Sequence, residues 1–422
     1  MRPVVTPAEM GELDRRAIEA GTAEAVLVER AGTAVAWHAR RMLGGTYGRR
    51  VVVAYGKGNN GADGRVAARV LRGWGVRVVE IGIAEAVDRD GAAREIARAE
   101  LFVDAMFGTG FRGTLEGDAA WLADEAARAA RVLAVDIPSG VDGLTGAVHG
   151  PAVRAHATIC FAFLKPGLLF EPGRTCAGEV EVADIGIRLE GWFGYAPLAS
   201  RRPFGIGVTT AEDARAALGE RAAAEHKWRA AVFVVGGSAG MIGAPGLASR
   251  AALRTGSGMV VAGVPGADAA ARIGGGEVVA RVLDASAGGA LDAAAADAVL
   301  AEIGRFKALA LGPGLGTAPE TAEAVARLVG EADIHLVIDA DALNALAADL
   351  APFEARRSAG HPWPVITPHD GEYARLAGHP VGDDRIEAAW ELANRLQVVV
   401  LLKGPATVVV DPAGRTAINP TG

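Results

Sequence analysis

The β-branched run Val51 to Val53 breaks into Gly56, Gly58 and Gly61, and the helical pattern Arg65 to Trp74 follows at once. A buried strand that turns through glycines into a helix is the opening unit of a doubly wound α/β sheet. The glycines spell G-x-G-x-x-G, and Glu80 lies about 20 residues beyond, where a dinucleotide fold keeps its ribose-binding acid. Taken alone, the turn points to an NAD-dependent oxidoreductase. Its polar residues argue otherwise. Asn59, Asn60 and Asp63 crowd amide and carboxylate oxygens where a pyrophosphate would sit. An Asp repels phosphate there, while such oxygens suit a hard cation or a polar ligand.

The rest of the chain keeps the same rhythm. Thr6-Pro7-Ala8-Glu9 is a capping box with Pro at the first helical position. Strands are expected at 51–55, 76–83, 100–104, 131–136 and 157–163, with helices at 64–74 and 118–130. Gly, Pro, Ser200, Arg201 and Arg202 interrupt the pattern over 191–208, which reads as a linker. A second series follows, with strands at 231–235, 258–264, 307–311, 334–338, 363–366, 397–402 and 407–411. Helices are expected at 244–255, 318–329 and 383–395. The expected architecture is two doubly wound α/β domains, 1–204 and 205–422, each a parallel sheet with helices on both faces.

Composition bounds the function. A chain of 422 residues holds two to three domains, and its net charge of −7 with no long Lys/Arg block argues against a nucleic-acid partner. Cys160 and Cys176 are too few for a disulfide framework and lack metal-site spacing. Glu9, Glu12 and Asp14 stand where a secretory leader would be basic and then apolar, and no charge-free run of 18 apolar residues appears. The expectation is a cytosolic protein with no membrane partner.

In the first half, three polar clusters fall just after expected strands, the edge where open α/β sheets bind ligands. They are Asn59-Asn60-Gly61-Ala62-Asp63, Asp104 to Thr114, and Asp136-Ile-Pro-Ser139-Gly-Val-Asp142. Any one of them has a bland alternative, since Asp136 and Ser139 could cap a turn and Gly108 and Gly110 could merely permit positive φ. Three on one edge argue for a site. The stretches Gly-Asn-Asn-Gly-Ala-Asp-Gly, Phe-Gly-Thr-Gly and Val-Asp-Ile-Pro-Ser-Gly-Val-Asp resemble the NAD(P)H-hydrate epimerase family over about residues 1–190. Its members interconvert the R and S forms of NAD(P)HX, the cofactor hydrated at nicotinamide C6. The resemblance implies that Asn59, Asn60, Gly61, Ala62 and Asp63 line the hydrate, together with Gly108, Thr109, Gly110, Phe111, Arg112, Gly113, Thr114 and Asp136. It also implies that Asn60, Asp104 and Ser139 hold a potassium ion. Ala62 departs from the family's usual glycine without removing a ligand. Because C6 carries a hydroxyl beside a ring nitrogen, a carboxylate can shuttle a proton while water leaves and returns, and Asp136 is the candidate.

The second half carries Val234 to Gly246, Ala310 to Gly316, Val337 to Asn344, Thr367 to Glu372 and Leu402 to Thr407. Asp339 or Asp341 could serve as an N-cap and His369 could only order a turn, whereas Lys403 beside Gly404 suits a phosphate. From about Val208 onward these motifs resemble the ADP/ATP-dependent NAD(P)H-hydrate dehydratases, whose fold is ribokinase-like. Such enzymes phosphorylate the C6 hydroxyl and eliminate phosphate. The resemblance places Ala244, Gly316 and His369 on the hydrate and Lys403, Gly404, Pro405, Ala406 and Thr407 on the nucleotide. It implies ADP, or ATP, with Mg2+, ADP being the usual bacterial donor, and a homo-oligomer is expected. In that family Asn-Pro-Thr-Gly is followed by a Gly-Thr-Gly-Asp loop, which would lie beyond Gly422. A chain ending there is expected to lack the anion hole and base of phosphoryl transfer. Two other readings stay open: a Rossmann oxidoreductase, and a non-catalytic nucleotide-binding second half.

Overall fold

The computed structural model describes residues 1–84, 87–189, 205–218, 226–274 and 276–421. It divides into two compact units, Met1–Val208 and Thr209–Gly422. Residues 191–204 of the expected linker lie outside the described residues.

The first unit contains strands β1 (Arg2–Val4), β2 (Arg50–Tyr55), β3 (Arg77–Gly82), β4 (Leu101–Ala105), β5 (Val132–Val135), β6 (Ala157–Phe161), β7 (Glu179–Ala183) and β8 (Ile206–Val208). Six form a parallel sheet in the order β3-β2-β4-β5-β6-β7, while β1 and β8 pair antiparallel. Side chains alternate across a strand, and β2 shows the consequence. Val51 and Val53 pack under the helices Glu24–Leu43 and Asn59–Gly73. Val52 and Ala54 pack under Arg89–Arg98 and Gly117–Glu125. Both faces are covered, which is why the strands read as unbroken apolar runs. Successive strands leave β2 first to one side, at β3, and then to the other, at β4. That reversal is the point where such sheets open a crevice.

Two expectations change. The helix after β2 begins at Asn59 rather than 64, because Gly58 in an extended conformation ends the turn. Asn59, Asn60 and Asp63 therefore lie in its first turns, not in a loop. The helix Arg89–Arg98 and strand β7 were not expected. That helix buries only Ala92 and Ile96, and β7 is a half-exposed edge strand, so each carries a faint apolar signal.

The second unit contains β9 (Ala231–Val235), β10 (Met259–Pro265), β11 (Val279–Leu283), β12 (Ala308–Leu311), β13 (His335–Ile338), β14 (Val365–Ile366), β15 (Val399–Leu402), β16 (Thr407–Val410) and β17 (Thr416–Asn419). Their order is β17-β16-β15-β14-β13-β12-β9-β10-β11. Pairing is parallel from β11 to β15 and antiparallel from β15 to β17. Here the winding reverses between β9 and β12. Arg356, 2% exposed, donates to the carbonyls of Ala332 at 2.6 Å, Pro362 at 2.8 Å and Val329 at 3.3 Å. It thereby satisfies acceptors around the end of the helix Pro319–Glu331. Both units are doubly wound α/β folds. Among the described residues no helix is long and apolar enough to cross a membrane.

Candidate functional site

A cleft of about 480 Å³ opens beyond the ends of β2, β4 and β5, where the winding of the first unit reverses. Its position follows from close packing at two glycines. A Cβ on Gly61 would collide with the Gly56 carbonyl, and one on Gly56 with the Met106 carbonyl. Their absence lets the helix start sit against the segment after β4. Asn59, Asn60, Asp63, Asp136 and Gly108 to Phe111 line the cleft. Gly61 and Ala62 do not, nor do Arg112, Gly113 and Thr114. The Arg112 guanidinium instead donates to the carbonyls of Thr109 at 3.1 Å and Phe111 at 2.6 Å. The rings of Phe107 and Phe111 lie 5.3 Å apart and give the cleft an apolar wall.

Asp136 holds φ at +63°, a strained value for a residue with a Cβ. Its N–H donates to the Ile159 carbonyl at 2.8 Å. Its Oδ1 accepts from Lys165 Nζ at 2.6 Å and from the Phe161 N–H at 3.3 Å. Lys165 is 0% exposed and also donates to the Phe161 carbonyl at 2.8 Å. Burial alone would push its ammonium down, but the Asp136 carboxylate outweighs that and holds it above the usual lysine range. Two further carboxyls face the same space. Burial, with the charges of Asp136 and Asp14 adding, pushes Asp63 up to about 8. Burial, opposed by Lys165 and helped by Asp136 and Glu24, pushes Asp14 up to about 6.

Asn60, Asp104 and Ser139 meet behind this cleft. Ser139 donates to Asp104 twice, from its N–H at 2.8 Å and from Oγ at 2.6 Å. The Met106 N–H donates to the same carboxylate at 3.2 Å. Phe107 ties the third member in: its N–H donates to Ser139 Oγ at 3.0 Å, and its carbonyl accepts from Asn60 Nδ2 at 2.7 Å. Asn60 Oδ1 is buried with no partner among the described residues. Burial pushes Asp104, 0% exposed, up to about 6 despite its three donors. An orphaned amide oxygen beside a buried carboxylate fits an oxygen-liganded cation, which would satisfy both.

In the second unit the turns after β9 and β12 close on each other. Ser238 Oγ donates to the Gly314 carbonyl at 2.9 Å, and the Gly237 N–H to Pro313 at 2.9 Å. The Gly316 N–H donates to Asp341 Oδ2 at 2.9 Å. Ala244 lies in the first turn of the helix Gly243–Arg254 beside them. A second group forms after β13, β14 and β15. Lys403 Nζ donates to Asp339 Oδ1 at 2.7 Å and lies 3.8 Å from Glu372 Oε2. His369 belongs to this group and caps the helix Asp370–Ala377: Nδ1 accepts from the Gly371 N–H at 3.0 Å, and Glu372 Oε2 accepts from the His369 N–H at 2.9 Å. Neither Asp339 nor Asp341 is an N-cap. Ala340 between them holds φ at +51°, aiming the two carboxylates at different turns. Arg385 donates to the Lys403 carbonyl at 2.7 Å, while Gly404, Pro405 and Ala406 lead to Thr407, whose Oγ1 donates to Gly404 at 3.3 Å.

Residues 232–422 match the family described as NAD(P)H-hydrate dehydratase, and residues 24–95 and 82–167 match the YjeF-related protein N-terminus. The bifunctional NAD(P)H-hydrate repair enzyme of Moorella thermoacetica is 38% identical, over 99% of this chain and 84% of that protein. The chain belongs to the bifunctional NAD(P)H-hydrate repair enzymes. The repair enzyme of Salinibacter ruber is 36% identical, over 99% of this chain and 83% of its own. A crystal structure of the ADP/ATP-dependent NAD(P)H-hydrate dehydratase from Bacillus subtilis, co-crystallized with ATP/Mg2+, is 30% identical. It matches over 51% of this chain and 73% of its own with a TM-score of 0.40. Membership among the repair enzymes leaves the oxidoreductase and non-catalytic readings without support.

Sequence reasoning did not single out Lys165 or Asp14, and it gave Ser238 and Glu372, which lie in its motifs Val234 to Gly246 and Thr367 to Glu372, no role of their own. Lys165 follows β6 on the same sheet edge as the three polar clusters, but the apolar residues Phe161 to Leu164 before it mask it. Asp14 gave no such signal, since it rides on the helix Pro7–Glu19 among other charged residues.

Proposed function

We propose that the first unit interconverts R- and S-NAD(P)HX in the cleft between β2, β4 and β5, and that the second unit supplies the hydrate-binding and nucleotide-binding loops for dehydration of the S form to NAD(P)H at the expense of ADP. The observation that carries the first half is the Asp136–Lys165 pair at the cleft wall. A carboxylate anchored by a buried ammonium and a backbone N–H is a fixed base, available to take a proton at C6 as water returns. Asn59, Gly108, Thr109 and Gly110 bind the hydrate, and the Phe107 and Phe111 rings exclude water from the nicotinamide. Asn60, Asp104 and Ser139 hold potassium, which supplies positive charge beside the buried Asp104 carboxylate and fixes the three segments together.

For the second half, the support is the meeting of the glycine turns after β9 and β12, with Ala244 and Gly316, at the reversal of that sheet. His369 orders the adjoining turn, and Lys403 to Thr407 receive the nucleotide. Asp136→Asn tests the epimerase half. The variant should keep its far-UV spectrum but melt at a lower temperature, because Lys165 is left buried without its carboxylate, and below that melt its R/S interconversion should fall by about a hundredfold to ten-thousandfold, the range of a lost proton-transfer group. Interconversion at the parent rate would remove Asp136 from the reaction.

A further inference from the structure

We propose that Asp63 is the proton donor of the epimerisation, working opposite Asp136 across the cleft; this rests on the epimerase reading of that cleft. Asp63 is 6% exposed and faces the cleft. Among the described residues, no hydrogen bond or ion pair holds its carboxyl. Asp136 has the opposite surroundings, with the Lys165 ammonium 2.6 Å away and the Phe161 N–H 3.3 Å away. The two are anchored on different strands. Asp63 rides on the helix after β2 and Asp136 follows β5, with β4 between. Two strand spacings separate these anchors by about 10 Å, which leaves room for a ring and a water.

Of the charged groups around Asp63, the carboxylates of Asp136 and Asp14 favour its neutral form, while an ammonium would favour the ionised one. Asp14 faces the cleft from the helix Pro7–Glu19, Glu24 from the helix Glu24–Leu43, Lys57 from the turn before Asn59, and Asp136 with Lys165 from beyond β4. Burial, then the charges of Asp136 and Asp14, push Asp63 up to about 8, so it carries its proton at neutral pH. A carboxylic acid kept neutral near an ion-paired carboxylate is the arrangement that separates a general acid from a general base.

The steps balance. The Asp63 proton passes to the C6 hydroxyl, and the C6–O bond breaks with its electron pair leaving on water. The lone pair of N1 closes an N1=C6 double bond. A water then adds to C6 from the other face, that pair returns to nitrogen, and Asp136 takes the proton the water sheds. Exchange with solvent carries the proton from Asp136 back to Asp63. No hydride or electron leaves.

The test measures kcat and KM for R/S interconversion by the full chain on both sides of pH 8, for the parent, Asp63→Asn and Asp136→Asn. The parent kcat should fall as pH rises past about 8, where Asp63 loses its proton. Asp63→Asn should lose about a hundredfold or more in kcat, keep KM near the parent value, and show no alkaline fall in what remains. A raised KM with kcat intact, or the same alkaline fall in the variant, overturns the assignment. If Asp63→Asn does not fold, the parent profile decides, and a flat profile through pH 8 overturns it. Loss in Asp136→Asn with full kcat in Asp63→Asn sinks this assignment alone. An inert parent chain sinks the epimerase reading beneath it.

Discussion

Lys165 and Asp136 define the site at the scale of single residues. A lysine with 0% exposure stays charged only because a carboxylate lies 2.6 Å away, and that carboxylate needs the ammonium in return. Breaking such a pair from one side costs about 3–5 kcal/mol, because the other charge is left buried alone. Lys165→Met should therefore lower the melting temperature sharply, while adding Asp136→Asn to it should recover most of the loss. A double variant as unstable as the two single losses combined would show that the residues do not act as a pair. Asp136, Asn60 and Ser139 were legible in the sequence because each falls in a polar cluster just after an apolar strand. Lys165 was hidden by its neighbours: inside Phe161 to Leu168 it reads as a solvated lysine next to apolar residues, and only the fold turns it inward.

At the scale of elements, the strand–turn–helix unit around Gly56 carries most of the design. Unbroken apolar runs made most strands legible to within a residue or two. The helix start was not, because Asn and Gly favour turns in isolation, and only the close approach of Gly61 to Gly56 makes a helical first turn fit. Gly61→Ala should cost about 1–3 kcal/mol by overpacking and slow epimerisation by moving Asn60 and Asp63. Gly58→Ala is the matched control, since a Cβ there meets nothing within 4 Å. Thermal melts that shift equally for both would contradict this packing. The buried Arg356 makes a parallel case in the second unit. Burial pushes its guanidinium down to about 10, and Arg356→Met should destabilise that unit by removing the donor from the Val329 and Pro362 carbonyls, about 1–3 kcal/mol for each buried orphan. Its role was invisible in the sequence, where Arg356-Arg357 reads as an exposed basic helix end.

At the scale of the molecule, each unit closes its own core: the first between two helical layers and a parallel sheet, the second around β9 and β10 among others. The alternation of strands and helices made this two-part architecture legible, together with the sheet edge that carries each site. Strand β16 was expected at 407–411, but its antiparallel pairing, strand β17 and the edge strand β11 were not read, since half-exposed side chains give a faint signal and order in a sheet depends on long-range pairing. The first unit holds Asp63, Asp104, Asp136, Ser139 and Lys165 within Met1–Val208, so its chemistry should need neither the second unit nor a nucleotide. The most direct measurement supplies pure R-NADHX, without ADP, to the Met1–Val208 fragment, to its Asp136→Asn variant and to the whole chain, and follows the appearance of the S form. The fragment and the whole chain should equilibrate the two forms at matching rates above the rate without protein, and the Asp136→Asn fragment should not. R-NADHX converting no faster with the fragment and the whole chain than without protein would contradict the account.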